Sequence, residues 1–492
     1  MKFLSTRGGA VAKNAAEAIV KGLADDGGLF VPEKFPFVGD KLDDMLKMSY
    51  AETAAFVLGQ FLEEYDKAEL LKACESAYSK FENNEPAPVV KLDDKFFITE
   101  LFHGPTLAFK DVALTLLPYL LRTGSDICGI KEDILILVAT SGDTGKAALE
   151  GFKNAKGIKI MVFYPSEGVS DMQKLQMCTQ EGDNVNVVAL KGNFDDCQTA
   201  VKKIFSDKKL EAQLKEKNVV LSSANSINFG RLAPQIAYYF STYTDLVVSG
   251  EINLGDEIDF VVPTGNFGNI LAGYYAKQMG LPIRKLVCAS NSNNVLTEFF
   301  ASGDYNANRE FFKTISPSMD ILISSNLERL LFEISGRNAS LTAERMKSLK
   351  ETYEYTITKE EREKLSESFY AEYSDEEECS ETIQVFYDHY MYLLDPHTSD
   401  AVCVAARYTS DTESETPVVV LSTASPFKFP QDVYQAISGK RVSDAFVAGE
   451  KLAAETLLKV PKQIAELKTK EKRFDKVIEK DQTVNAVFDF LG

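Results

Sequence analysis

The chain has only three histidines, His103, His389 and His397, and its seven cysteines include no Cys-x-x-Cys pair. No metal-ligand spacing is left, which argues against a zinc site. The cysteines form an odd, scattered set (Cys74, Cys128, Cys178, Cys197, Cys288, Cys379 and Cys403), which points to the reduced thiols of a cytosol. No run of about 18 apolar residues occurs, the length a membrane helix needs. The start, MKFLSTRGGAVAKNAAEAI, lacks the apolar stretch of a secretory signal. The expectation is a soluble, cytoplasmic protein. Basic residues are in deficit, with 54 Lys and Arg against 73 Asp and Glu, for a formal charge of −19. Such a surface repels nucleic acid and anionic membranes, so neither is expected as a partner. An anionic ligand must be held by local donors against that field. There is also no internal repeat, coiled-coil heptad or low-complexity tract.

A chain of 492 residues exceeds a single core, so two or three domains are expected. Residues 1–90 read as mostly helical, with a period near 3.6 in YAETAAFVLGQFLEEY. The polar, proline-containing FENNEPAPVVKLDD suggests a boundary. Beyond it, short β-branched runs alternate with helical patterns: DILILVA, IKIMVFY, NVNVVAL, NVVLSS, IDFVVP, IRKLVCAS and, late, TPVVVLST. That alternation predicts an α/β fold with a parallel sheet covered on both faces, over residues 91–305 and 400–460. Residues 306–399 lapse into charged helical sequence and read as a mostly helical insertion, with 461–492 a C-terminal helical segment.

The sharpest stretch is LVATSGDTGKAAL, Leu137 to Leu149. A nucleotide P-loop needs a glycine, four residues, then Gly-Lys-Ser/Thr. Here Thr140 stands at the glycine position and Ala147 at the hydroxyl position, so both ends fail. A strand, then Ser141-Gly142-Asp143-Thr144-Gly145, then a helix still places backbone N–H groups at a helix start, an anion site sized for a carboxylate or a phosphate. The same logic recurs in DFVVPTGNFGNILAGYYA, where Gly265, Asn266, Phe267, Gly268 and Asn269 can converge their N–H groups into a nest. Two cradles imply one dianionic ligand, or a phosphorylated cofactor beside an anionic substrate.

In ELFHGPTLAFKDVALTLLPYLL, the Gly104-Pro105-Thr106 turn precedes a helical pattern and sets Lys110 at a helix start. The helix dipole disfavours a cation there and lowers the lysine pKa. A neutral amine beside Leu107 and Phe109 can form a Schiff base.

Together FHGPTLAFKD, ATSGDTGKAA and PTGNFGN resemble threonine synthase, a pyridoxal-phosphate family of the tryptophan-synthase β-like fold type II. LSTRG, GLADDGGLFVP, NSINFGRLAPQ, LDPHTSDAV and STASPFKFP extend the resemblance over nearly the whole chain, in family order. It implies a three-layer fold with the cofactor between two lobes. It implies that Lys110 holds pyridoxal 5'-phosphate as a Schiff base, and that Gly265 to Asn269 wrap its phosphate. Thr423 would face the pyridine nitrogen, and Ser141 to Gly145 would receive a substrate α-carboxylate. Thr106, Asn225, Ser226, Asn228, Arg231 and Lys428 are the remaining substrate-binding candidates, the last five as donors to a substrate phosphate. Ser425 stands where many relatives have histidine. The implied reaction converts O-phospho-L-homoserine and water to L-threonine and phosphate. A hydroxyamino-acid dehydratase, a β-replacement synthase and a non-catalytic pyridoxal-binding homologue are the alternatives. Monomer and homodimer are both compatible with the acidic surface.

Overall fold

The computed structural model describes every residue except Ser141 and Gly168, and the backbone alone at Phe194, Asp195 and Ser206. Each apolar run singled out above is a strand, and the strands divide between two sheets. Asp133–Ala139, Ile158–Pro165, Val185–Leu190 and Val219–Ser222 pair in parallel, and Val477–Ile478 is added at one edge. The second sheet runs Phe369–Tyr373, Ile283–Ser290, Ile258–Pro263, Val418–Ser422 and Phe96–Glu100, all parallel, with Val89–Lys91 antiparallel at its edge. Central strands such as Ile258–Pro263 are buried along their whole length, as a sheet covered on both faces requires.

The α/β fold is thus as expected, with two refinements. Residues 306–399 are not helical throughout: Phe369–Tyr373 pairs with Ile283–Ser290 and completes the larger sheet. Only Phe369 of that strand is fully buried, so its sequence carries the polar signature of an edge. The mostly helical first 90 residues also contain a small antiparallel sheet of Val11–Ala12, Phe3–Ser5 and Phe30–Pro32.

Two helices pack against the short helix Lys110–Leu114. Phe229–Val248 is capped by Asn228 and buried from Phe229 through Thr244, and it packs against Tyr50–Gly59, Gly268–Gln278 and the short helix Lys110–Leu114. Asp143–Phe152 lies so close to Lys110–Leu114 that a Cβ on Gly151 would sit 2.1 Å from the Leu114 carbonyl oxygen. Among the described residues no helix is long and apolar enough to cross a membrane.

Candidate active site

Loops at the carboxyl ends of parallel strands converge between the two sheets, the position where open α/β folds bind ligands. After Phe96–Glu100 the chain turns through Gly104–Phe109 into the helix that begins at Lys110. Leu107 adopts φ +61 in that turn. The turn is pinned to the next strand's exit: Phe109 N–H donates to the Thr423 carbonyl at 2.9 Å, and Ser425 N–H to the Leu107 carbonyl at 3.1 Å. Lys110 is therefore fixed from both neighbouring loops.

The Lys110 side chain is largely buried, with its Nζ 3.8 Å from Asp143 Oδ2 and 4.9 Å from the Phe109 ring centre. Burial brings the amine down to about 8; the Asp143 carboxylate opposes that fall, and the charges of Lys428 and Arg231 add to it. The amine is lowered as the sequence predicts, with desolvation as the largest cause. Asp143, at the first position of its helix, also accepts from Lys428 Nζ at 2.8 Å and from Gln173 Nε2 at 3.2 Å. Burial would raise the Asp143 carboxyl; Lys428 and Lys110 outweigh it and hold it well below the usual range.

Several residues expected to bind substrate are occupied otherwise. Ser141 lies outside the described residues. The Thr106 N–H and hydroxyl both donate to Asp111, at 2.7 and 2.6 Å, and its carbonyl accepts from Lys428 at 2.9 Å. Burial pushes Asp111 up to about 6 against those two bonds. Thr106 is thus a clamp on the turn, and Lys428, 3% exposed, is shared between Thr106 and Asp143. Asn228 is saturated as a cap: its Nδ2 donates to the Ile19 and Ser223 carbonyls at 2.9 and 2.8 Å, and its Oδ1 accepts from Gly230 N–H at 2.8 Å. It has no donor left for an anion. Thr144 and Asn225 stand half-buried beside the cleft, and the Ser226 hydroxyl accepts from Asn326 at 3.3 Å. In the first glycine turn, the Thr140 hydroxyl accepts from the N–H groups of Gly142 and Gly145, each at 3.0 Å.

The second cradle is built from Gly265 to Asn269, where Phe267 takes φ +60 and Gly268 opens the helix Gly268–Gln278. The first-turn N–H groups of a helix have no partner within it and favour an anion. Gly265 is needed for space, since a Cβ there would lie 2.6 Å from the Ser318 carbonyl oxygen. Asn326 braces the turn, with its N–H and Nδ2 donating to the Asn266 carbonyl at 3.1 and 3.0 Å. Among the described residues, Asn269 Nδ2 in this turn and Arg231 Nε in the helix Phe229–Val248 are buried donors without a partner. Tyr238 and Tyr239 fix Asn269 through its Oδ1, at 2.5 and 3.1 Å, which leaves the amide nitrogen free. The unspent donors, the open helix start and an amine near pKa 8 fit a ligand with a carbonyl at one end and a dianion at the other.

Ser318, His397, Asp395 and Asn326 were not read from the sequence as site residues. Lys110 Nζ donates to Ser318 Oγ at 3.3 Å, and Ser318 N–H donates to His397 Nε2 at 3.0 Å. Asp395, Pro396 and Thr398 carry the pattern of a capped helix start with proline at its first position, within the LDPHTSDAV stretch already noted for its resemblance.

Comparison with known proteins gives concordant matches along the chain. Residues 2–78 match the family described as "Threonine synthase N terminus", 82–424 that of "Pyridoxal-phosphate dependent enzyme", and 398–488 that of "Threonine synthase, C-terminal". "Threonine synthase-like 1" of Homo sapiens is 43% identical over 445 residues, covering 88% of this chain and 59% of its own. The chain thus spans little more than half the length of that relative. "Threonine synthase" of Pseudomonas aeruginosa is 40% identical, covering 89% of this chain and 91% of its own. Among solved structures, the pyridoxal-phosphate-bound threonine synthase of Brucella melitensis superposes with a TM-score of 0.88 at 37% identity, over 100% of this chain and 98% of that one.

Proposed function

The chain belongs to the threonine synthase family of pyridoxal-phosphate-dependent enzymes, and from that membership we propose that it converts O-phospho-L-homoserine and water to L-threonine and phosphate. The supporting observation is a buried lysine of lowered pKa whose Nζ lies 3.8 Å from Asp143 at one helix start and donates to Ser318, which packs on Gly265 beside another. Lys110 would hold the cofactor's aldehyde carbon, the turn Gly265–Asn269 its phosphate, and Thr423 its ring nitrogen. When bound, pyridoxal phosphate supplies an electron sink for the charge left at the substrate's α-carbon.

This chain's own residues do the rest. At the helix start Gly142–Gly145, the N–H groups of Asp143 and Thr144, those not donating to Thr140, would receive the substrate carboxylate. Arg231, Asn225 and Ser226 are the donors available to its phosphate; Arg231 is kept from solvent, and burial brings it down to about 10. Lys110, as a free base, would move protons at the substrate's α- and β-carbons. Phosphate leaves from the γ-carbon, and the hydroxyl of water ends on the β-carbon. Asp143 stays ionised throughout, because Lys428 remains its partner after Lys110 is committed elsewhere.

The test is incubation of the purified protein with pyridoxal phosphate and phosphohomoserine. Threonine and inorganic phosphate should appear in equal amounts. Phosphate accompanied by a 2-oxo acid, or no phosphate at all, would replace this reading with an eliminating or non-catalytic one.

Gly265→Ala offers a narrower check. The added methyl meets the Ser318 backbone, and overpacking of this kind costs about 1–3 kcal/mol. Titration should show the dissociation constant for pyridoxal phosphate rising roughly fivefold to a hundredfold or more, on the scale of about 1.4 kcal/mol per tenfold.

A further inference from the structure

We propose that His397 is a positioning residue for Lys110, acting through Ser318; the inference rests on Lys110 being the reacting amine. Three observations carry it. His397 is buried, and its Nδ1 lies 2.8 Å from Asp395 Oδ1. Its Nε2 is 3.0 Å from the Ser318 backbone nitrogen, which can only donate. The Nε2 must therefore be bare and the ring proton must sit on Nδ1, bonded to Asp395. This geometry selects one tautomer of the ring. Its lone pair anchors a segment 79 residues away in sequence, and the hydroxyl of that segment accepts from Lys110 Nζ at 3.3 Å.

The anchored residue does two things at once. Its side chain meets the amine, while its carbonyl oxygen packs where Gly265 has no side chain. One histidine thus sets both the lysine and the roof of the glycine turn. Asp395 organises the arrangement as the cap of helix Pro396–Thr412, accepting from the His397 N–H at 3.0 Å and the Thr398 N–H at 3.4 Å. Thr398, held by the same carboxylate, accepts from Thr423 N–H at 3.3 Å. Two adjacent side chains of one cap therefore reach the two loops that fix Lys110. A cap needs only the aspartate. The imidazole adds a specific acceptor aimed at Ser318.

Losing that acceptor frees the Ser318 hydroxyl from its place beside Lys110. A hydroxyl accepting from an ammonium favours the charged form, so its departure leaves more neutral, more reactive amine. The experiment is acylation of the full-length, cofactor-free chain with acetic anhydride near pH 8, with peptide mass spectrometry reading the rate at Lys110. His397→Phe should speed that labelling roughly threefold to tenfold, the scale of one lost hydrogen bond. His397→Gln puts an amide oxygen near the position of Nε2 and should return the rate to within about twofold of wild type. In the cofactor-loaded enzyme, His397→Phe should lower kcat while KM for phosphohomoserine holds, and His397→Gln should recover most of kcat. An unchanged labelling rate in His397→Phe, or equal acceleration in both variants, overturns the proposal. Should His397→Phe fail to fold, Ser318→Ala removes the hydroxyl alone and must accelerate Lys110 labelling; no acceleration overturns the proposal equally. If the wild type makes no threonine, the functional reading falls, and the labelling comparison still decides the role of His397.

Discussion

Lys110→Ala is expected to leave a folded protein that neither retains pyridoxal phosphate covalently nor forms threonine. The variant loses covalent attachment and the proton shuttle together. A general base alone contributes typically about 10²–10⁴-fold, so kcat should fall at least about 10³-fold. Two measurements check this. Borohydride reduction of the wild type should add the cofactor's mass to the peptide containing residue 110 and to no other, and in Lys110→Ala that adduct should vanish. Product formation, followed over hours, should fall to background. Folding should not suffer, because the position carries a cost: burial lowers the amine to about 8, so the folded chain disfavours the ammonium. Below that value the charge works against stability, and the penalty fades as pH rises toward the ordinary lysine value of about 10.4. Removing the side chain should therefore leave the cofactor-free protein as stable as wild type at neutral pH, or more so. Retained turnover in Lys110→Ala would reassign the reacting amine.

Asp143→Asn should have the largest effect on stability. Lys428 is buried and shares its charge with Asp143 at 2.8 Å. Breaking a buried pair from one side costs about 3–5 kcal/mol, because the remaining charge is left uncompensated. Denaturant unfolding should register most of that loss. The double variant Asp143→Asn, Lys428→Met should recover much of it, since replacing both partners with neutral groups is often close to neutral. The pH dependence provides a second signature. The carboxyl is held below its ordinary range, so its contribution is complete above about pH 4, the unfolded value. It is lost as pH falls from there toward the lower folded value. Wild type should lose stability over that acid interval where Asp143→Asn does not. Equal stability of wild type and single variant at pH 7 would mean that the pair carries no net weight.

The parts of the fold legible in sequence were those with strong local signals. The runs DILILVA, IKIMVFY and IDFVVP are apolar but for Asp133, Lys159 and Asp259 because each is largely buried on both faces, and they could be read directly. Phe369–Tyr373 and Val477–Ile478 could not be read, because an edge strand alternates with solvent and looks like surface. In the site, the two glycine turns and Lys110 carry their chemistry within a few residues of chain. The internal bonds of Thr106, Asn228 and Lys428 were not legible, because their partners are set only by folding; Lys428 meets Thr106 across 322 residues. Ser318 gave no signal at all, since its meaning comes from His397 and Lys110, neither near it in sequence.

The missing side chain at Gly151 has a mechanical consequence. With the Leu114 carbonyl oxygen resting where a Cβ would be, the lysine-bearing helix and the helix starting at Asp143 have no slack between them. On its other side the same turn is tied to the larger sheet through the Thr423 carbonyl. Lys110, one helical turn from that contact, is thus braced from two sides and has little room to shift.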